Sequence, residues 1–333
     1  MDLLLDYMAG EVRFMTVRGA NRESFRGANL HRSARAMIGL CGIIWFSVFL
    51  SGEAAGFALS GMTLAALRVV PTAFVSMLAC DIFRAASGTH GVPFFGRIFS
   101  RAFGISEGGT SAFLVGNLCG FPTGAREVGM AYRCGAVSSE EAERILPISS
   151  NPSPAFTVGV VGGMLGDFRV GVTLFFCVMA SAILCGVIFR KKKPLYHNSG
   201  VVLGQSYNVI ESIRGAGTSC IGVISCICAF AVPLGFVRKY VKFSPLKALV
   251  FSVSELAAGV DFLINEGGFS GDFRGAIPAF SLGFGGLCAM LQSRVIAVDY
   301  GISFRKFLPI KMLQGVICAL LFLGVESIRN LMA

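Results

Sequence analysis

The sequence predicts an all-α polytopic membrane protein whose two halves each carry a re-entrant hairpin and a broken helix, in inverted orientation. Three observations point there. The chain of 333 residues is 54% hydrophobic and only 14% charged, whereas a soluble domain carries about a quarter charged residues. Its mean hydropathy is +0.71. Two long apolar stretches, Gly116 to Asp167 and Ser252 to Val298, are interrupted by ionisable side chains, glycines and prolines. Irregular backbone and charge at membrane depth are tolerated only when buried in protein or lining a wet cavity. Interrupted segments in corresponding halves are the sequence mark of a binding site between repeats.

Taken in order, residues 1–35 form a cytoplasmic or interfacial N-terminus. Met1 to Met15 has no basic start followed by an apolar core and cleavage site, so it reads as an amphipathic interfacial helix rather than a signal peptide. The first repeat covers 36–193. Met37 to Leu59 and Thr63 to Phe83 have the length of spans, the second bent near Pro71. Ser87 to Phe103 reads as an interfacial helix, with Arg97 and Arg101 along one face. Glu107 to Arg133 has the length of a hairpin (about 107–134), because Gly120-Phe121-Pro122 interrupts it. Ser138 opens a capping box with Glu141, and that helix runs towards Leu165 but loosens at Asn151-Pro152-Ser153-Pro154. Val170 to Phe189 is a span closed by Arg190 to Lys193.

The second repeat covers 194–333 and repeats the plan. Tyr207 to Arg214 reads as interfacial, Gly217 to Val237 as a span, and Pro245 to Gly268 as a second hairpin (about 246–270). Ala276 to Val298 is a span broken at Gly283-Phe284-Gly285-Gly286, and Leu308 to Val325 is the last helix. A cytoplasmic N-terminus places Arg190 to Lys193 inside, in line with the positive-inside rule. Arg238, Lys239 and Lys242 then lie outside, against it. The odd number of spans between the hairpins makes the repeats inverted.

Composition excludes several functions. The net charge of +10 comes from basic residues flanking apolar spans, which are topology signals, and no aromatic-basic interleaving suits nucleic acid. The eleven cysteines lie in or beside apolar runs, no CxxC occurs, and the three histidines are scattered. Zinc is therefore not expected, and cysteine reads as a small hydrophobe. No nucleophile-base arrangement or P-loop is present, so neither an enzyme nor a cofactor is expected.

The candidate substrate-binding residues sit at the interruptions. Asn117, Gly120, Phe121, Pro122 and Thr123 make a tip where glycine permits the turn, proline ends a helix, and following amides are left free. Arg126 and Glu127 follow it; a charge at the bilayer centre costs about 3 kcal/mol on insertion scales, so each needs a partner elsewhere. Asn151 and Ser153 lie where prolines expose carbonyls that can coordinate a cation or a ligand hydroxyl. Glu255 stands before Ala257-Ala258-Gly259, and Gly285 and Gly286 unwind a helix carrying Gln292. The bland alternatives are packed kinks, back-bonding serines and glycine-mediated helix contacts. The repeat symmetry predicts that Arg126 and Glu255 face one cavity, paired directly or through solute or water.

At these residues the chain resembles the YlbJ family of sporulation integral membrane proteins. The shared elements are Gly120 to Arg126, Asn151 to Phe156, Glu255 to Gly259 and Phe284 to Gln292, in that order. The resemblance implies a Gate-type (nucleoside-recognition) domain in each half. A more distant likeness is to concentrative nucleoside transporters, whose hairpin tips and last broken helix look similar to Gly120-Thr123, Ser254-Glu255-Leu256 and Leu282 to Gly286. Three departures stand out: the first tip has no glutamate, Gly286 stands where that family has an asparagine, and Leu287 and Cys288 follow in place of a serine-rich continuation. The resemblance implies a multi-pass protein of the bacterial cytoplasmic membrane. It would be a secondary transporter moving a small polar solute, nucleoside-like or other, by alternating access. The alternative is a non-transporting scaffold or partner-binding component in sporulation. The expected partners are the lipid bilayer and the solute, without nucleic acid. The coupling ion (sodium or proton) and homo-oligomerisation are left open.

Overall fold

The computed structural model describes residues 39–43, 46, 52–87, 93–191, 208–242, 244–265 and 273–332, and every regular element among them is helical. The chain divides into two compact units, 1–55 and 56–333, and the second carries the features that follow. The expected N-terminal interfacial helix and most of the span Met37 to Leu59 lie outside the described residues.

Helix α1 (Glu53–Leu64) passes through a π-helical turn (Ala65–Val69) into α2 (Val70–Ser87). The bend predicted at Pro71 is therefore taken up just before it. Pro71 has no N–H to give the preceding turn, and the Thr72 hydroxyl donates to the Val69 carbonyl at 2.9 Å. Helix α3 (Pro93–Phe103) precedes α4 (Glu107–Cys119) and α5 (Thr123–Arg133), which pack against each other as a helical hairpin. The Ser106 hydroxyl caps α4 by accepting from the Gly109 amide at 3.1 Å.

Helix α6 (Ser139–Ser149) is followed by the break, a π-helical stretch (Ala155–Val161) and the short α7 (Gly162–Leu165). The Ser138 hydroxyl caps α6 as expected, accepting from the Glu141 amide at 3.2 Å. The other half of the expected box is absent. Glu141 instead accepts from the Ser106 amide and hydroxyl at 2.6 and 2.8 Å, tying the start of α6 to that of α4. Arg144 then reaches the carbonyls of Phe103 and Gly104 at 2.7 and 2.8 Å, satisfying the end of α3.

Helix α8 (Phe168–Ile188) is the span the sequence predicts, and Asp167 caps it. Helix α9 (Val209–Tyr240) merges the interfacial segment and the span into one helix of 32 residues, about 48 Å long at 1.5 Å per residue. The Asn208 cap at its start accepts two amides and begins the helix before Gly217. Helices α10 (Ser244–Ser254) and α11 (Leu256–Asn265) form a second helical hairpin. Helices α12 (Phe273–Phe284) and α13 (Gly286–Asp299) are separated by Gly285, and α14 (Phe307–Met332) ends the chain.

Among the described residues four helical stretches are long and apolar enough to cross a membrane: α8, α9, Gly275–Asp299 and α14; α1 with α2 makes a fifth if that bent pair is one span. Large apolar residues such as Phe176, Ile221 and Leu320 face outward, while Glu141, Asn151, Lys311 and Gln314 are buried. This inside-out distribution fits a multi-pass membrane protein, because lipid does not drive apolar groups inward. Close packing holds the helices together instead. A Cβ placed on Gly124 would collide with the Ser149 carbonyl, and one on Gly116 would approach the Gly124 Cα to 2.8 Å, so α4, α5 and α6 meet backbone to backbone.

Candidate functional site

Both interruptions are made by residues that cannot continue a helix, and they are pressed together. Helix α4 ends at Gly120 with φ of +80°, and the following Phe121-Pro122 peptide is cis. A Cβ on Gly120 would lie 2.6 Å from the Ser153 nitrogen, so this tip rests on the first break. That break runs through Asn151 to Pro154 because Pro152 and Pro154 supply no amide. The Ser153 hydroxyl accepts from the Phe156 amide at 3.2 Å and restarts the helix. At the second break Gly285 and Gly286 have φ of +91° and +72°. A Cβ on Gly285 would sit 2.8 Å from the Phe121 ring and 3.3 Å from the Lys311 side chain. Only glycine takes this backbone at that distance.

A cleft opens where these parts meet, about 610 Å³ with its open mouth included. Phe121 and Ser153 line it from the first half, Glu255 and Gln292 from the second, with Thr72 and Cys288 completing the polar wall. Four of the residues singled out in the sequence thus share one cavity. Glu255 sits between α10 and α11, and its Oε2 accepts from the Ala258 amide at 2.5 Å. It is therefore a helix cap as well as a cleft carboxylate. The Gln292 amide donates to the Cys288 Sγ at 3.5 Å. Together they offer a carboxylate, a carboxamide and two hydroxyls above an apolar floor, the composition of a small-molecule site.

Asn117 and Asn151 belong to a second cluster behind the cleft. Asn151 donates to the Asn117 Oδ1 at 2.7 Å and to the Ile148 carbonyl at 2.8 Å. Its own Oδ1 accepts from Lys311 at 2.7 Å and from Gln314 at 2.8 Å. Asn117 in turn donates to the carbonyls of Phe113 and Ile148. Lys311 is wholly buried, and its Nζ lies 5.7 Å from the centre of the Phe121 ring.

Arg126 does not pair with Glu255. Its guanidinium donates to the Asp81 Oδ2 at 3.3 and 3.2 Å, because α5 turns it towards α2, and a Cβ on Gly215 of α9 would lie 3.3 Å from it. Glu127 and Thr123 are buried on α5, and the Thr123 hydroxyl makes no hydrogen bond among the described residues. Pro122 sits in the tip, and a Cβ on Gly286 would lie 3.4 Å from the Leu256 nitrogen at the other hairpin. Cys80 and Cys119 bring their sulfurs next to each other between α2 and the end of α4.

Sequence reasoning missed Asp81, Lys311 and Gln314. A lone cation three residues from an amide in an otherwise apolar helix is the signal that marks the last two, since such residues share a face. Among the described residues no three His, Cys, Asp or Glu side chains cluster as a metal site. Compared with family models, curated proteins and solved structures, the chain matches none of them.

Proposed function

We propose that this membrane protein is a secondary transporter of a small polar solute, built from two inverted repeats with re-entrant hairpins and working by alternating access. One observation carries the reading: a hairpin tip and a helix break from each half converge on a single polar cleft. Discontinuous helices meeting at a repeat interface are the usual construction of such sites. The arrangement of ends supports the inversion. Glu143 on α6 binds Lys306 at 3.0 Å, Glu140 pairs with Lys191, and Arg133 stacks on Tyr300. The base of the first hairpin, the end of α8 and the start of α14 therefore share one basic end. Helix α9 leads away to the second hairpin, where Lys247 donates to the Arg238 carbonyl at 2.8 Å. The carboxylate of Glu255 favours a solute that presents hydrogen-bond donors, a nucleoside-like molecule among them.

A thermal-shift screen of the purified protein against nucleosides, amino acids and small organic acids tests the function. One class should raise the melting temperature; a ligand at a hundredfold excess over its Kd stabilises by about 2.7 kcal/mol. Glu255→Gln and Gln292→Ala should abolish that shift while the unliganded protein stays folded. No shift from any class, or one that survives both changes, would favour a scaffold without transport.

The topology has its own test. Cysteines at the tips would disturb packing, since Gly124 has no room for a Cβ. Glu107 and Lys242 are exposed at the bases of the two hairpins. In a background without reactive native thiols, Glu107→Cys and Lys242→Cys should react with an impermeant reagent from opposite sides of the membrane. Reaction from the same side would remove the inverted plan.

A further inference from the structure

The first helix break exposes oxygens that would suit a cation, and the chain fills the place itself. Helix α6 ends at Ser149, so the Ser150 carbonyl has no amide of a following turn to accept, and it lies at the negative end of the helix dipole. The Lys311 Nζ donates to this carbonyl at 3.1 Å, to the Asn151 Oδ1 at 2.7 Å and to the Gln314 Oε1 at 2.9 Å. An ammonium has three donors, and each meets one oxygen. All three acceptors are neutral, as in the carbonyl and amide sets that bind monovalent cations. The hydroxyls of Ser149 and Ser150, both fully buried, make no hydrogen bond among the described residues, so further oxygen is at hand. The face of Phe121 adds the attraction of an aromatic ring for positive charge.

We propose that this pocket is a monovalent-cation site occupied by a tethered ammonium, that of Lys311. The charge joins the first break to the last helix, and the side chain lies against the second break at Gly285. It performs the joining that a free sodium ion would otherwise perform. The first break then needs no added cation to hold its shape, a property that stands whether or not the cleft transports a solute.

The test compares melting temperatures in choline, sodium and ammonium chloride at equal ionic strength. The wild-type protein should melt at the same temperature in all three. Lys311→Ala opens the site and should melt roughly 6–12 °C lower in choline, with most of the loss restored by sodium or ammonium, which fit, and not by choline, which does not. Lys311→Gln supplies a neutral donor one bond shorter and should stay as unstable as Lys311→Ala in choline. The proposal is overturned if Lys311→Ala is unresponsive or unfolded in sodium, if Lys311→Gln matches the wild type, or if the wild type responds to sodium as strongly as the alanine variant.

Discussion

Asn151→Leu should be among the most damaging single changes in this protein, lowering stability by about 4 kcal/mol while keeping the branching of the side chain. The Asn151 amide is the hub of the buried cluster: it accepts from Lys311 and Gln314 and donates to Asn117 and the Ile148 carbonyl. Leucine would leave the Gln314 amide and the Asn117 carbonyl unpartnered and take one of the three acceptors from Lys311. A buried polar atom stripped of its partner costs about 1–3 kcal/mol, more when the group is charged. Ser153→Ala at the cleft removes one capping hydroxyl and should cost about 1 kcal/mol. Thermal unfolding of both variants in the same detergent separates the two effects. Equal, small losses would show that the cluster is not what holds the first break.

The second large effect concerns Arg126. Its carboxylate partner Asp81 is 5% exposed and its own side chain 17%. Breaking one side of a buried ion pair costs about 3–5 kcal/mol; partial solvent access brings the expected figure towards the lower end. Arg126→Met and Asp81→Leu should each lower stability by about 3 kcal/mol, and the double variant should cost less than the sum of the two, because the two side chains share one ion pair. Arg126→Met combined with Glu255→Gln should instead be additive within about 0.5 kcal/mol, since Arg126 binds Asp81 and Glu255 binds the Ala258 amide. Coupling between Arg126 and Glu255, with none between Arg126 and Asp81, would restore the pairing that the repeat symmetry suggested.

Much of the helical plan was readable from residue order. The Gly120-Phe121-Pro122 turn, the Asn151-to-Pro154 break, the hairpin around Glu255 and the unwinding at Gly285 all depend on glycine and proline, whose backbone limits are local. Phe121, Ser153, Glu255 and Gln292 could be gathered for the same reason, since each sits beside such a residue. What escaped was long-range. Asp81 lies 45 residues before Arg126, and nothing in either neighbourhood announces the other. Lys311 vanished into an apolar average over α14, where one cation cannot offset the leucines around it. The carboxylate of Glu141 was assigned to its own helix cap, yet Ser106 offers both an amide and a hydroxyl from another helix. The separate interfacial helix before Gly217 was inferred from polarity, although nothing from Val209 to Gly217 obliges the backbone to break.

The two π-helical stretches, Ala65–Val69 and Ala155–Val161, impose a change of phase on the helices that contain them. A π turn holds one residue more than an α turn, so side chains beyond it are rotated by about 100° from the positions a regular helix would give them. The buried face of Glu53–Leu64 therefore does not continue in the same register along Val70–Ser87. A hydrophobicity wheel drawn through both segments would blur the two faces into one. Thr72 and Ala73, just beyond the first stretch, both line the cleft. The first irregular turn thus brings to the cavity wall side chains that an unbroken helical repeat would have aimed elsewhere.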